Sequence, residues 1–521
     1  MAFGRTWAVA LVGLDGHMVQ VEAHLHPGLP AFHLVGLPDA ALGESRERVR
    51  AAVSSCGLTW PPSRVTVNLS PAVLPKSGSA VDLGSAVATL RASDRLPDPV
   101  CEQRVHLGEL GLDGRVHPVR GILPAVAASV AAGRPHVVVP AGNEAEARLV
   151  PGAVITPVTH LAHLVHQYGG EVSRARIQAI LADGVRQAQI SPAPATPLGA
   201  RERDLADVLG QSEARAALEV AAAGGHHLLM VGPPGTGKTM LASRLPGLLP
   251  DLTESEAVEV TSVHSVAGTF DASRGLMRRP PFEDPHHTAT PAAVVGGGSG
   301  LPRPGAASRA HRGVLFLDEA PEFSPRVLET LRQPLEHGEL VLHRARGSAR
   351  YPARFQLVLA ANPCPCGQAV GKALECTCSP LARRRYFARL SGPLLDRIDI
   401  RVEVGTITRA SLALAGEPET TALVALRVRA ARERQRERLS GTGWSSNAEV
   451  PGSWLRERTR RIDARLTGDL DRAMDRGTLS MRGLDRVLRV AWTLADLGQR
   501  EHPLREDIGA ALELRAGGSH G

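Results

Sequence analysis

The segment Gly232 to Thr239 reads GPPGTGKT and constrains the fold more than any other part of this chain. It matches the pattern G-x-x-x-x-G-K-[ST], in which backbone N–H groups surround phosphate oxygens and the lysine neutralises their charge. The motif needs a strand before it and a helix after it. Residues 228–231 are apolar and of strand length, and residues 240–245 have helical spacing before Pro246. The pattern therefore predicts an α/β domain in which ATP is held by Gly232, Pro233, Pro234, Gly235, Thr236, Gly237, Lys238 and Thr239.

A second apolar run ends on two carboxylates, as the other half of such a site requires. Residues 314–317 are followed directly by Asp318 and Glu319. We expect Asp318 to hold a Mg²⁺ ion together with the hydroxyl of Thr239. We expect Glu319 to act as the general base that polarises the attacking water.

A third apolar run, residues 355–361, ends at Asn362. Its position after a strand favours a role in orienting the attacking water. An asparagine directly before Pro363 is also typical of a simple turn. The residue type alone does not separate the two interpretations.

Composition excludes some classes of protein and favours others. The chain has 521 residues, of which 43% are hydrophobic and 22% charged, as in a globular protein of about three domains. No apolar run is long enough to span a membrane, and Asp15 interrupts the apolar N-terminus, so we expect a cytoplasmic protein without a signal peptide. The net charge of +7 favours a polyanionic partner. With only 5 Trp, 3 Tyr and 8 Phe, contacts with nucleic acid are expected at the phosphate backbone.

The chain divides into four segments by pattern. Residues 1–168 alternate strand-like and helix-like stretches, and residues 169–200 form a linker that includes the proline-rich stretch 191–197. Residues 201–403 contain the nucleotide motifs. Residues 404–521 have helical periodicity and no strand pattern.

Together these motifs resemble those of the AAA+ ATPases, and more narrowly the magnesium-chelatase-like branch known as the YifB/ComM family. The resemblance extends over nearly the whole chain. It implies an α/β fold class with a Lon-protease-like α+β domain first, a central P-loop domain with a parallel sheet, and a C-terminal helical lid. The stretches that carry it are residues 232–239, 285–287, 295–298, 313–319, 360–367 and 391–399.

The resemblance also implies a homo-oligomeric ring, a hexamer, with ATP bound between subunits. Each site then needs an arginine from the neighbouring subunit, and the family pattern places it at Arg397. The alternative is an ion pair of Arg397 with Asp396 or Asp399 in the same chain. A further arginine, Arg482 on the lid, is expected to contact the nucleotide of its own chain, with a solvated arginine as the alternative.

The Lon-like domain lacks the expected peptidase residues. The position of the serine nucleophile is Ala80, and the position of the activating lysine is Leu123. A serine hydroxyl without a base is inert, so we expect a domain for assembly or partner binding. Lys76, Ser77 and Ser79 lie nearby, which leaves a shifted pair of catalytic residues open.

Four cysteines form two close pairs. Cys364 and Cys366 precede Cys376 and Cys378 by a short interval. In a reducing compartment such a cluster more often binds metal than forms disulfides, and four thiolates suit tetrahedral Zn²⁺. The C-x-C spacing is tighter than the usual C-x₂-C, and four free thiols are the alternative. We assign no metal role to His286 and His287, whose pattern is typical of a turn with one packed ring.

Three arginines mark a predicted hairpin between the two catalytic strands. In rings of the family that this chain resembles, a hairpin here projects into the central pore. Arg344, Arg346 and Arg350 would bring positive charge to its tip, and a guanidinium can bind two phosphate oxygens at once. The sequence therefore predicts a DNA-backbone contact without sequence preference. A solvated surface hairpin is the alternative.

These observations leave three functions open. The first is a DNA motor, a helicase that drives branch migration of recombination intermediates. The second is the ATPase subunit of a magnesium-chelatase-like metal-insertion complex. The third is a protein-remodelling chaperone. The N-terminal domain and the positive charge favour the first.

Overall fold

The computed structural model describes residues 3–36, 40–72, 74, 79–173, 175, 177–180, 203–298, 302–344, 347–369, 375–409, 417–459 and 464–516. Within these residues, the N-terminal region forms a mixed sheet of seven strands. Strand Arg64–Ser70 shows why it forms, because Val65, Val67 and Leu69 alternate with more exposed residues and face the core. In spatial order the strands are Ala31–Val35, Arg64–Ser70, Asp15–His26, Phe3–Val12, Val105–His106, His136–Pro140 and Val154–Val158.

Helices cover this sheet and form two apolar cores with it. Among the helices, Asp82–Ala92 is buried along almost its whole length, as its small and aliphatic residues permit. A short antiparallel pair, Glu109–Leu110 with Val116–His117, lies outside the sheet. The helices of this region are Ala40–Ser55, Asp82–Ala92, Ile122–Ala131, Glu144–Ala147 and Leu161–Gln167.

The central region is built on a second sheet whose five described strands are all parallel. Every residue of Val314–Leu317 and of Gln356–Ala361 is buried, as expected for inner strands that are covered on both faces. Alternate residues of these strands point into two separate cores, one on each face. In spatial order the strands are Phe282–Glu283, Val314–Leu317, Gln356–Ala361, Leu228–Val231 and Ile400–Glu403.

Helix boundaries in the central region follow local sequence signals. Helix Glu254–Ala267 begins at Thr253, which forms a capping box with Glu256, and ends at Gly268 in the left-handed conformation. The helices of this region are Ser212–Gly224, Lys238–Ala242, Leu245–Leu248, Glu254–Ala267, Pro291–Val295, Ala306–Arg309, Pro325–Thr330, Arg332–His337, Pro380–Ala388 and Gly392–Leu395.

The C-terminal region is helical in its described residues. Its apolar residues share one core with helix Ser212–Gly224 and with one face of the parallel sheet, so the lid is packed directly on the nucleotide domain. Its helices are Thr421–Arg438, Gly452–Thr459, Ala464–Asp475, Met481–Leu497 and Arg505–Ala516. None of the described helices is long and apolar enough to cross a membrane.

An antiparallel hairpin, Glu339–Arg344 with Gly347–Pro352, precedes strand Gln356–Ala361. Its apolar side chains pack on the N-terminal region, where Leu342, Ala349 and Tyr351 form a small core with Leu14. The fold class predicted from the sequence is confirmed. The boundaries 1–168, 169–200, 201–403 and 404–521 stay predictions, and residues 181–200 of the linker lie outside the described residues.

Candidate functional site

The phosphate loop lies between strand Leu228–Val231 and helix Lys238–Ala242, as its motif requires. Gly237 has φ 90° and Gly235 has φ 78°, a region that favours glycine. Gly232 is required by space, because a Cβ at this position would lie 2.1 Å from the carbonyl oxygen of Val404. The loop therefore keeps its backbone N–H groups in a tight concave turn, the arrangement that binds phosphate.

Lys238 is held at the mouth of the loop. Its Nζ donates to the carbonyl oxygens of Gly232 at 2.7 Å and Pro233 at 2.8 Å, and to Oδ1 of Asn362 at 3.2 Å. The residue is only 8% exposed, and this burial lowers its pKa, against the opposing effect of Asp318 and the neighbouring carboxylate. The ammonium group is thus oriented by neutral acceptors that a phosphate oxygen can replace.

Asp318 and Thr239 form the second contact of the site. The hydroxyl of Thr239 donates to Oδ2 of Asp318 at 2.6 Å, which joins the end of strand Val314–Leu317 to the loop. Hydroxyl and carboxylate oxygens are the ligands that Mg²⁺ accepts. These two residues therefore fit the magnesium role expected of them, beside the loop that would hold the outer phosphates.

Glu319 has an unusual backbone. It adopts φ 50° and ψ 42°, and its N–H donates to Oδ1 of Asp318 at 2.9 Å. A non-glycine residue in the left-handed region costs free energy and is often found at functional sites. The Glu319 carboxylate is 50% exposed, and it lies close enough to Lys238 to raise the pKa of that lysine against the larger effect of burial. This position suits a base that acts on water.

His287 contacts the same carboxylate, which the sequence analysis did not predict. Its Nδ1 lies 3.2 Å from Oε2 of Glu319. The neighbouring His286 packs its ring 4.1 Å from that of His287 and pairs with Thr288. The turn was predicted, but the contact joins segments with no fixed spacing in sequence, so no pattern of residues indicates it.

Asn362 lies between the loop and the carboxylates. It follows strand Gln356–Ala361, whose neighbours in the sheet are Leu228–Val231 and Val314–Leu317. Because all three strands are parallel, their carboxyl ends meet at one edge of the sheet. The structure therefore brings together five residues predicted separately: Lys238, Thr239, Asp318, Glu319 and Asn362.

Arg397 lies at the opposite edge of that sheet. It precedes strand Ile400–Glu403, which pairs in parallel with Leu228–Val231 so that Ile400 lies opposite Leu228. A strand of four residues is about 13 Å long, so Arg397 and the phosphate loop of the same chain are separated by the length of the strand. Arg397 does not belong to the nucleotide site of its own chain.

Glu336 is the ion-pair partner of Arg397, and neither predicted alternative forms. Arg397 also donates to the carbonyl oxygen of Pro393 at 2.6 Å. Burial is the main cause that lowers its pKa, and nearby arginines add to it. Asp399 instead pairs with Arg486, and its other oxygen lies 3.2 Å from His226.

Arg482 is found beside Arg397 rather than at the loop of its own chain. The hydroxyl of Ser480 caps helix Met481–Leu497 and sets Arg482 in the first turn. The Arg482 side chain is 79% exposed and lies 3.5 Å from Asp396. The expected contact with the nucleotide of the same chain does not match this placement, because the lid packs this end of the helix against the far edge of the sheet.

The four cysteines converge on one point. All four sulfurs lie within 4.8 Å of one another, and Cys364 is 3.3 Å from Cys366 and 3.7 Å from Cys376. A tetrahedral Zn²⁺ with bonds of about 2.3 Å places its sulfurs about 3.8 Å apart. A backbone N–H and Cys364 lower the pKa of the Cys366 thiol to about 6, whereas contacts with neighbouring sulfurs raise the pKa of Cys376 and Cys378. The donor set and its spacing fit zinc.

The predicted hairpin exists, but only part of its arginine set can be placed. Arg350 is 70% exposed and lies 3.8 Å from Glu339 on the paired strand. Arg344 ends the first strand, opposite Gly347. The side chain of Arg344 and the whole of Arg346 lie outside the described residues. The prediction that three arginines converge at the tip therefore stays a prediction.

Ala80 and Leu123, the positions expected for the peptidase serine and lysine, lie on or next to two helices of the N-terminal region. Ala80 lies two residues before helix Asp82–Ala92, and Leu123 is buried in helix Ile122–Ala131. Ser79 donates its hydroxyl to the carboxylate of Glu109. Lys76 and Ser77 lie outside the described residues, and within the described ones no lysine contacts a serine hydroxyl here.

The parallel sheet, the phosphate loop and the carboxylates at its edge define a P-loop nucleotide-binding protein of the AAA+ type. Family comparison agrees along the chain. Residues 204–412 match the family described as magnesium chelatase, subunit ChlI, residues 21–143 match subunit ChlI of Mg-chelatase, and residues 418–515 match the C-terminal part of that subunit. The chain belongs to the magnesium-chelatase-like AAA+ ATPases of the YifB/ComM family.

Full-length relatives support this membership. An uncharacterized protein of Mycobacterium tuberculosis is 53% identical over 519 residues, with 100% of both chains covered. The protein YifB of Escherichia coli is 39% identical, with 97% of this chain and 96% of the relative covered. The competence protein ComM of Haemophilus influenzae is 39% identical, with 99% and 98% covered. The similarity therefore includes the N-terminal region as well as the nucleotide domain.

Proposed function

We propose that this chain assembles into a homo-oligomeric ring, a hexamer, that uses ATP hydrolysis to move along DNA. The observation that carries the proposal is the hairpin Glu339–Arg344 with Gly347–Pro352. It lies in the chain between the strand that ends at Asp318 and the strand that ends at Asn362. A change in the distance between Asp318 and Asn362 would therefore move the hairpin, because the chain on each side of the hairpin leads to one of these two residues. A motor needs such a connection between its ATP site and the surface that contacts its substrate.

Each ATP site in this ring would take residues from two neighbouring subunits. Lys238 would neutralise phosphate charge, and Thr239 with Asp318 would hold Mg²⁺. Glu319 would take a proton from the attacking water, which Asn362 orients, while that water attacks the γ-phosphorus and ADP leaves. Arg397 of the partner subunit would stabilise the charge that develops on the phosphoryl oxygens. Its position at the far edge of the sheet supports this role.

Arg482 is proposed to serve that same site of the neighbour. It lies 3.5 Å from Asp396, the residue directly before Arg397, and close enough to Arg397 to lower the pKa of its guanidinium. Two arginines presented together at one face form a surface that complements the phosphates bound at the opposite face of the next subunit. Release from Glu336 would free the guanidinium of Arg397 for that contact.

DNA is the substrate that best suits the charge of the chain and the position of the hairpin. The net charge is +7, and Arg350 is exposed on the hairpin. Arginines bind phosphate oxygens without reading bases, so the contact would be independent of sequence. We propose branch migration of recombination intermediates in the cytoplasm as the task, since a relative of full length is named a competence protein.

One assay separates the DNA motor from the two alternative functions, which are an ATPase subunit of a magnesium-chelatase-like complex and a protein-remodelling chaperone. The assay measures ATP turnover alone, with single-stranded, duplex or branched DNA, with chelatase partner subunits and porphyrin, and with an unfolded protein. We expect DNA alone to raise turnover severalfold, and the rise to shrink as salt increases. Stimulation by unfolded protein or by porphyrin and partners, with none by DNA, would overturn the proposal.

We also propose one structural Zn²⁺ per chain, held by Cys364, Cys366, Cys376 and Cys378. The sulfur spacing described above supports it. Metal analysis of the purified protein tests it, and a protein that is active and free of zinc would contradict it.

A further inference from the structure

We propose that the zinc site braces the phosphate loop, so that metal occupancy sets the affinity of the protein for ATP. This inference rests on the proposed ATP and zinc sites and adds a physical connection between them. The connection is made by residues 362–367, which join the cysteine cluster to the nucleotide site over a very short length of chain.

The first contact is made at Gly367. Its N–H donates to the carbonyl oxygen of Cys364 at 3.0 Å, which closes a tight turn around the first cysteine pair. Gly367 has φ 77°, and a Cβ at this position would lie 2.6 Å from Cδ and 2.8 Å from Cγ of Pro234. The cysteine turn thus lies directly against the phosphate loop, and only glycine leaves space for this approach.

The second contact is made at Asn362, two residues before Cys364. Its Oδ1 accepts the hydrogen bond from Nζ of Lys238. One short segment therefore touches the loop at Pro234 and its lysine at Nζ. Cys364 is fully buried between these two contacts, so its position is fixed by packing as well as by the metal.

A metal at this place has a mechanical consequence. Zn²⁺ bound by four thiolates ties Cys364 and Cys366 to Cys376 and Cys378, and binding free energy of structural zinc is folding free energy for the residues that hold it. Without the metal, weak contacts between thiols, such as the 3.3 Å contact of Cys364 with Cys366, replace four metal–sulfur bonds. The turn at Gly367 and the side chain of Asn362 would then lose their fixed positions against the loop.

The cysteine cluster is partly open to solvent, so its metal can be removed from the folded protein. Cys364 is buried, whereas Cys366 is exposed and Cys376 and Cys378 are partly exposed. A chelator or an oxidant can therefore reach the sulfurs from solvent without unfolding the nucleotide domain. We infer that loss of zinc lowers ATP affinity while the parallel sheet stays folded.

The test compares zinc content and nucleotide affinity in the same samples of full-length protein. Zinc is measured by metal analysis, and the Kd for a fluorescent ATP analogue with Mg²⁺ is measured by titration. Variant Cys366→Ser should lose zinc and bind the analogue about tenfold more weakly, which equals ~1.4 kcal/mol. Cys101→Ser is the matched control, because this buried cysteine lies in the N-terminal region, outside the cluster. It should leave both measurements unchanged.

The variant Gly367→Ala tests the contact with the phosphate loop independently of zinc binding. It keeps all four cysteines and should keep zinc, yet its methyl group would press on Pro234, so the Kd should rise with zinc still bound. Removing zinc from the parental protein with a chelator, and restoring it, should raise and then lower the Kd reversibly. This measurement also decides the matter if a cysteine variant fails to fold.

Three contrary results would each overturn a different part of the proposal. Unchanged Kd in zinc-free protein overturns the brace and leaves the ATP site intact. Parental protein without zinc overturns both the zinc site and the brace. Zinc-loaded parental protein that fails to bind the analogue contradicts the ATP site itself.

Discussion

Lys238 and Glu319 lie at the same edge of the sheet, but their replacement is expected to affect different properties, ATP binding for Lys238 and turnover for Glu319. Lys238 is buried and makes three hydrogen bonds, whereas Glu319 is half exposed and lies beyond the strand. The first residue is part of the loop expected to bind phosphate. The second contacts His287 and is open to solvent.

Lys238→Ala should weaken ATP binding, because a charged hydrogen bond contributes about 1.5–3 kcal/mol, or roughly 10- to 100-fold in affinity. Glu319→Gln should leave ATP affinity near the parental value and lower turnover by roughly 10²- to 10⁴-fold. Titration with an ATP analogue and a steady-state ATPase assay separate the two effects. Parental turnover in Glu319→Gln would show that another group is the base.

His287 is expected to position the carboxylate of Glu319. His287→Ala should lower kcat severalfold and leave the Kd for ATP unchanged, because the ring contacts Glu319 and not the phosphate loop. His286→Ala is the comparison variant, since His286 pairs with Thr288 and packs its ring on His287 without contacting Glu319. A parental kcat in His287→Ala would mean that the His287 contact has no role in turnover.

The sequence predicted some of these residues and not others for a physical reason. Motifs at Lys238, Asp318 and Asn362 each follow an apolar run, and parallel strands necessarily bring their carboxyl ends to one edge. The contact of His287 with Glu319 and the ion pair of Arg397 with Glu336 depend on tertiary packing. No spacing or periodicity encodes such contacts, so only the structure supplies them.

At the scale of elements, the hairpin is the part that would meet the substrate. Its two strands pair from Glu339 with Pro352 to Arg344 with Gly347, and its apolar side chains are anchored in a small core. Leu342 and Ala349 pair in the half of the hairpin nearer the turn, so the small core holds the hairpin along its length and leaves Arg350 exposed. A solvated hairpin would need no such anchoring.

Replacement of the three arginines Arg344, Arg346 and Arg350 by alanine should abolish DNA-stimulated turnover and spare basal ATPase activity. For every arginine that no longer binds a phosphate, the salt dependence of DNA binding should fall by roughly one unit of slope. DNA binding at several salt concentrations provides the measurement.

A matched control removes the same charge elsewhere. Arg436, Arg472 and Arg505 are exposed arginines of the lid helices. Their triple alanine variant should keep DNA stimulation. If both triple variants bind DNA like the parent, the hairpin is not the DNA contact.

Individual helices and strands were easier to predict than the way in which they pack on one another. The phosphate motif requires a strand and a helix, and the alternation in residues 64–70 requires a half-buried strand, so both were predictable. The side of the sheet on which the lid helix Met481–Leu497 packs was not. Because of this packing, Arg482 lies near Asp396 and not at the phosphate loop of its own chain.

At the scale of the whole molecule, the phosphate loop and Arg397 lie at opposite edges of one sheet. The loop follows the carboxyl end of Leu228–Val231, and Arg397 precedes the amino end of Ile400–Glu403. In the proposed ring, two copies arranged head to tail would bring the phosphate loop of one subunit to Arg397 of the partner subunit, and this contact would close a ring where the rotation between copies leads back to the first copy. The chain is thus expected to be inactive as a monomer.

Arg397→Ala should bind ATP normally and fail to hydrolyse it, and Lys238→Ala should also be inactive. Mixing the two variants should restore part of the turnover, because some interfaces then pair an intact loop with an intact Arg397 of the partner subunit. The ATPase assay is repeated across mixing ratios, with subunit exchange verified by labelled protein. No recovery in rings that have exchanged subunits would assign Arg397 a structural role within its own chain.

The seam between the N-terminal region and the hairpin has a consequence for how motion spreads. A Cβ at Gly13 would lie 2.5 Å from the carbonyl oxygen of Arg350, and Leu14 packs with Leu342 and Tyr351. This close packing couples the hairpin to the turn at Gly13. In the proposed ring, a movement of the hairpin during ATP turnover would displace the mixed sheet of the same subunit as well. The position of the N-terminal region would then depend on the nucleotide bound to its own subunit.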